Sequence, residues 1–475
     1  MRSEPVTSTR VLTLVVASAL FMESLVSTVI ATSLAPMSAD LGVDAVALKL
    51  AFTAYYVALA IFIPISGWCA DRFGAKTVFT AAIAVFTLSS VGCALAWDLQ
   101  SLIAGRFVQG VGGALMLPVG RLILLRVIPK REMVSAMAWL SIPALMAPIL
   151  GPPVGGFITT YYHWRGIFWL NVPVGLVGLS LAWALVPQVR EALRRPLDSL
   201  GFALSGLGLS LALFGFTLAG SLAAGGLLAW AMMASGALLL ALYIRHARRA
   251  AHPLLDLRLL QISSFRITLL GGALFRLSVG ALPFLLPLML QLGFGLSAFA
   301  SGLLTFAGAA GAMTMKLTAS PILRRFGFRR VLQVNAVLSS AMMAACALFT
   351  AETPHLLIIA VLLVGGFFRS LQFTSLNTLG YADIEQPQMS QATAFVAVVQ
   401  QLSLAAGVAV AAMLLEASRS ADARSLLVAA DFSRAFLAIS LVSLASLWLY
   451  RQLAADAGAE VSGHRLIDDR SGDGG

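Results

Sequence analysis

Gly67-Trp68-Cys69-Ala70-Asp71-Arg72-Phe73-Gly74-Ala75-Lys76 is a short charged turn between two apolar stretches, and its second half returns far along the chain. Arg72-Phe73-Gly74-Ala75-Lys76-Thr77-Val78 recurs as Arg325-Phe326-Gly327-Phe328-Arg329-Arg330-Val331, again between two apolar stretches. Working outward from both copies gives fourteen apolar segments, each long enough to cross ~30 Å of hydrocarbon as helix. They run over 11–34, 46–66, 77–97, 102–125, 134–160, 166–186, 200–219, 227–244, 267–291, 302–322, 331–350, 356–379, 392–415 and 435–450. Eight segments separate the two copies, where a plain six-plus-six arrangement would place six. Segments seven and eight therefore read as a two-helix insert between two pseudo-symmetric six-helix bundles. The predicted layout is an all-α membrane protein. It has a first bundle over 1–190, an insert with cytoplasmic linkers over 191–262, a second bundle over 263–452 and a disordered polar tail over 453–475.

Composition agrees. The 475 residues are 59% hydrophobic and 11% charged, with mean hydropathy +0.90, whereas a soluble protein carries about 25% charged residues. A net charge of +11 would suit a nucleic-acid partner, but its distribution argues otherwise. Of the 32 Lys and Arg, 22 fall in loops on the side of the N-terminus and five on the other. That bias is a topology signal placing both termini in the cytoplasm. Arg2 and Arg10 precede a first segment too long for a signal peptide, which reads as an uncleaved anchor. Cys69, Cys93 and Cys346 lie far apart and read as free thiols without metal-ligand spacing. Gly74-Ala75-Lys76-Thr77 lacks the Gly-x-x-x-x-Gly-Lys spacing of a phosphate loop. No nucleophile–base cluster points to an enzyme, and no cofactor is implied.

Glu23 is the only acidic residue inside these segments as drawn. A carboxyl at that depth costs several kcal/mol if ionised and unpaired. A buried acid plus a charged hinge points to a transporter coupled to protons.

Four stretches, the opening turn among them, carry a resemblance. Gly67-x-x-x-Asp71-Arg72-x-Gly74-x-Lys76, Leu102-x-x-x-Arg106-x-x-Gln109-Gly110-x-Gly112, Gly151-Pro152-x-x-Gly155-Gly156 and Trp164-Arg165-x-x-Phe168-x-x-Asn171-x-Pro173-x-Gly175 stand in order on segments two to six. Together they resemble the major facilitator superfamily, specifically its fourteen-helix drug:proton antiporter branch, over nearly the whole chain to about Tyr450. Within that branch the chain looks most like the bacterial multidrug-resistance and homocysteine-resistance permeases, whose pattern Arg276 and Lys316 also fit. The resemblance implies a multi-pass protein of the bacterial cytoplasmic (inner) membrane. The chain departs from the branch in segment one, where Leu-Asp-x-Thr is replaced by Leu25-Val26-Ser27-Thr28. Glu23 lies three residues before Val26, on a shared helix face, and is the expected substitute.

The resemblance makes segments one and four neighbours, so a Glu23–Arg106 pair is expected to carry proton coupling. The turn holding Gly67, Asp71, Arg72, Gly74 and Lys76 is expected to gate, with Asp71 capping a helix or pairing with Arg72 or a neighbouring base. Pro148, Gly151, Pro152, Gly155 and Gly156 form the expected antiporter seam, where small residues permit close helix approach and prolines kink. Gln109, Asn171, Arg276, Lys316, Arg369, Gln372, Asn377 and Gln400 are the expected cavity-lining residues. The cationic bias among them argues against a pocket tuned only to cationic drugs. The predicted function is proton-coupled efflux of small lipophilic drugs or toxic compounds by a monomer embedded in the bilayer. The alternatives are an exporter of a specific metabolite, such as an amino acid or organic acid, and a non-transporting sensor or scaffold.

Overall fold

The computed structural model describes residues 9–128, 130–189, 196–219, 226–251, 253–385, 388–422, 424 and 426–462. The boundary expected at 190/191 and the end of the tail, 463–475, lie outside them. Segment one is α1 (Thr9–Val29) continued by a 3-10 turn into α2 (Leu34–Leu41), and segment two is α3 (Lys49–Phe62) and α4 (Ser66–Phe73). Then come α5 (Ala75–Ala94), α6 (Leu99–Val127), α7 (Lys130–Tyr161), the pair α8 (Gly166–Trp169) and α9 (Asn171–Leu185), and the insert helices α10 (Ser199–Ala219) and α11 (Gly226–Ala247). The second half holds α12 (Ser263–Leu288), α13 (Ala298–Ala345), α14 (His355–Gly380), α15 (Met389–Ala421), α16 (Ala429–Tyr450) and a short α17 (Ala459–Ser462). α13 is two spans joined at Gly327, whose φ of 71° breaks the helix. The expected fourteen spans are thus present.

The first six spans pack on one another, as do the last six, and the two groups meet along α7 with α13 and along α3 with α15. The insert leans on that second line, with Phe62 against Phe202 and Gly206 against Ile61. Asp198 organises its linkers. Its carboxylate accepts from Gly201 N (2.8 Å), Leu254 N (3.2 Å) and His246 Nε2 (2.7 Å).

The repeated turn is a structural repeat. Gly74 (φ 92°) and Gly327 (φ 71°) both take a conformation that L side chains avoid. Each turn is braced by the end of its own half. Ala75 N donates to the Val189 carbonyl (3.0 Å), and Arg329 Nη2 to that of Arg451 (3.3 Å). This bracing corrects the expectation of a structureless tail from 453. Leu453 is only 3% exposed, Gly458 packs on Phe328 and Leu379, and α17 follows. Apolar contact outweighs the polar composition there.

The helices alternate in direction, so the chain begins and α16 ends at one face, the terminal end. At the opposite, far end the two halves are sealed together. Pro287 removes a backbone donor from α12, and the helix passes into a π turn over Met289–Gly293. That turn aims Gln291 Nε2 at the Thr32 carbonyl (2.9 Å). Phe52 meets Phe284 edge to face at 6.4 Å, and Phe299 N donates to Thr160 Oγ1 (3.0 Å).

Candidate transport site

Glu23 sits on α1 facing α6, with its side chain against Gly113 and Tyr55. Among the described residues no cation lies within ion-pair distance of it. The expected Glu23–Arg106 pair is therefore not formed. Arg106 is 1% exposed and is held elsewhere. Its guanidinium stacks over the Tyr55 ring at 4.2 Å and its Nη1 donates to Gln109 Oε1, while Gln109 Nε2 donates to Ser90 Oγ (2.7 Å). The Tyr55 ring stands where the sequence reading put a salt bridge. The cation whose field reaches Glu23 is Arg121. It lies on the exposed face of α6 and also acts on Tyr381 of the other half. Sequence reasoning counted Arg121 as one more basic residue within a span; only the fold sets it between the halves. Val26 is 3% exposed, so an acid there would enter packed core rather than Glu23's partly exposed position.

Glu23 is not the only acid within the spanning helices, because α15 and α16 extend further than the apolar runs that revealed them. Glu416 and Asp431 are buried in them. Lys49 Nζ donates to Glu416 Oε1 at 3.0 Å, joining α3 of the first half to α15 of the second. Arg419 pairs with Asp44 beside it. These two cross-links belong to the far-end seal. Their sequence signal was weak, since each member stands at the frayed edge of an apolar run.

The gating turn is tied within its own half. Arg126 Nη2 donates to Asp71 Oδ1 (2.9 Å), so Asp71 pairs with a base from α6 rather than with Arg72. Lys76 N donates to Gln188 Oε1 (3.1 Å), and the Lys76 ammonium lies over the Trp183 ring at 5.9 Å. Gly67 has open space around its Cα, and Arg72 is exposed. The Trp164-Arg165 pair clamps the far end. Trp164 Nε1 (3.0 Å) and Arg165 Nη1 (2.5 Å) both donate to Asp40 Oδ2, and Arg165 Nη2 donates to the Ala96 carbonyl (2.7 Å).

The seam has two faces. A Cβ on Gly151 would meet Thr28 Oγ1 at 2.0 Å, and one on Gly155 the Val29 carbonyl at 2.6 Å, so this face closes on α1. A Cβ on Gly156 would stand 2.4 Å from the Ala298 carbonyl, and one on Gly302 2.2 Å from the Pro152 carbonyl, so the other face closes on α13. Pro148 and Pro152 are half-buried on this helix, which also carries Pro143 and Pro153. Proline and glycine together give α7 a surface flat enough for backbone-to-backbone contact with both halves.

The expected cavity residues divide. Asn171 Nδ2 donates to the Ile167 carbonyl on the preceding α8 (3.1 Å). Gln109 serves Arg106. Gln372 accepts from Asn335 Nδ2 (2.9 Å) inside the second half. Arg276 Nη2 donates to Asn377 Oδ1 (2.9 Å), and Lys316 Nζ donates to Thr374 Oγ1 (3.0 Å) while remaining exposed. Arg369 lies against Gly308 and Gly365, and Gln400 is half-buried on α15.

Two helical bundles related by an internal repeat, meeting across charged residues held inside spanning helices, define a multi-pass membrane transporter. The sequence pattern of the Major Facilitator Superfamily matches residues 16–408, and the chain belongs to that family. It is 35% identical over 439 residues to the "Probable transport protein HsrA" of Haemophilus influenzae, covering 92% of this chain and 95% of that one. It is 37% identical over 404 residues to the "Putative multidrug resistance protein MdtD" of Pectobacterium atrosepticum, covering 84% and 86%. Among solved structures, a D-xylose–proton symporter superposes with a TM-score of 0.66 at 16% identity, over 94% of this chain and 98% of the other. An auto-inhibited peptide transporter of the POT family gives 0.67 at 16% identity, over 93% and 97%. Those last two likenesses concern the fold alone.

Proposed function

We propose that this transporter exports small lipophilic compounds in exchange for protons, by alternating access, as a monomer in the bacterial inner membrane with both termini cytoplasmic. The observation that carries the reading is Glu23, a carboxyl among spanning helices with no salt-bridge partner among the described residues and with Arg121 within electrostatic reach. A committed ion pair would hold its charge fixed, whereas an unpaired acid beside an exposed base exchanges its proton as water access changes. In the proposed orientation the far end is the outer face. Its seal leaves Arg121 and Lys316 exposed nearer the terminal end, as an inward-facing state requires. The name of the multidrug resistance relative supports the substrate range, and apolar and aromatic side chains around the site suit lipophilic cargo.

A proton arriving from outside binds Glu23, relaxes its attraction to Arg121 and lets the halves rock. Arg106 does not lose a proton in this scheme. It positions Tyr55 against Glu23. The test is substrate-induced proton release from proteoliposomes. Glu23→Gln is expected to abolish it while leaving substrate binding measurable, and normal coupled transport by Glu23→Gln would overturn the proposal.

A further inference from the structure

The repeated turn fixes a register of 253 residues between the halves, from Arg72 to Arg325. The same register carries Cys93 onto Cys346, and it carries Glu23 onto Arg276. Thus α1 and α12, the first helix of each half, bear opposite charges at equivalent places. The acid of the first half is a candidate for proton exchange. Its counterpart in the second half is a buried base that no carboxylate among the described residues balances.

Arg276 is 2% exposed. Its hydrogen bond to Asn377 is to a neutral amide, its guanidinium lies 5.5 Å from the Phe373 ring centre, and its Nε has no acceptor. Among the described residues no carboxylate pairs with it. It lines a small cavity with Thr268, Leu269, Asn377, Tyr381 and Val396, whose hydroxyl and amide groups sit against an apolar wall. Across the interface Arg121 adds a second positive field at Tyr381. An unneutralised guanidinium inside a membrane bundle is costly and ordinarily marks a ligand path.

We infer that the exported compound carries an anionic group, a carboxylate or similar oxyanion, that seats at Arg276. The inference rests on the export reading and narrows its substrate class. The guanidinium fork suits an oxyanion, since charge-assisted pairs are the stronger hydrogen bonds.

The experiment uses the purified full chain in nanodiscs at pH 7.5, with 4-pentylbenzoate and its uncharged amide as probes. The acid is expected to bind about tenfold more tightly than the amide, as one charge-assisted contact provides. Arg276→Gln is expected to bring the ratio near one without weakening the amide, and Arg276→Lys to retain part of it. If Arg276 serves only packing, Arg276→Gln lowers the melting temperature and leaves the ratio intact, which overturns the inference. Should that variant not fold, the wild-type comparison decides, because equal binding of acid and amide, or no binding of the acid, is equally fatal. Export of both probes driven by a pH gradient is measured in proteoliposomes. Gradient-driven export without an acid preference removes the anion site and keeps the transporter's proposed function, and the absence of gradient-driven export removes that function.

Discussion

Removing the carboxylate of Glu416 is expected to open the far end. Lys49 and Glu416 meet at 3.0 Å with side chains only 4% and 11% exposed, and they join α3 to α15 across the two halves. Glu416→Gln leaves the Lys49 ammonium buried against a neutral amide, and taking one partner from such a pair costs about 3 kcal/mol or more. The sealed state bears that cost, because opening returns Lys49 to water. The balance between sealed and open states should therefore shift by roughly a hundredfold. The neighbouring Arg419–Asp44 pair is 22% and 41% exposed and contributes at most about 1 kcal/mol, too little to compensate. The assay is the distance between spin labels at Val43 and Leu426, on far-end loops of opposite halves, with Cys69 replaced by Ser. Glu416→Gln should move the population toward longer distances. The double change Lys49→Met with Glu416→Leu should return it, since a matched apolar pair leaves no buried charge unpaired. An unchanged distance distribution in Glu416→Gln would refute the reasoning.

Gly156→Ala is expected to part α7 from α13, because its Cβ would lie 2.4 Å from the rigid Ala298 carbonyl. Cross-linking between cysteines placed at Thr160 and Phe299 should fall severalfold. Gly74→Ala combines a φ of 92° with a Cβ 2.6 Å from the Gln188 side-chain amide. The amide can swing away, so backbone strain dominates at about 1–2 kcal/mol, read as a lowered melting temperature. In the far-end loop, hydrogen bonds from Arg424 and then Arg434 hold the Asp422 carboxyl below its usual value of 3.8. A depressed folded value gives stabilisation that is complete above pH 3.8 and fades only as pH falls through the lower folded value. Hydrogen-exchange protection at 418–424, taken relative to the intrinsic rate at each pH, should accordingly be unchanged from pH 7 to 5, and loosening in that range would contradict the pairing.

What the sequence determined by itself is the architecture. The spans, the insert and the repeat are written in hydropathy and in Arg72-Phe73-Gly74 with its echo at Arg325, because a bilayer demands long apolar helices and a reversal between them demands Gly. The family motifs were legible for the same reason, since Gly151, Gly155 and Gly156 are needed wherever backbones touch. Partnership was not legible. Depth counting put Arg106 within reach of Glu23, but Arg106 stacks on Tyr55 instead, and the cation whose field reaches Glu23 is Arg121. Lys49 and Glu416 stand 367 residues apart at the blurred ends of two apolar runs, and nothing local marks them as a pair. Hydropathy reports the depth of a side chain, which is one coordinate. Its direction around the helix and the identity of what faces it follow from packing among all the helices at once, and only the tertiary structure decides them.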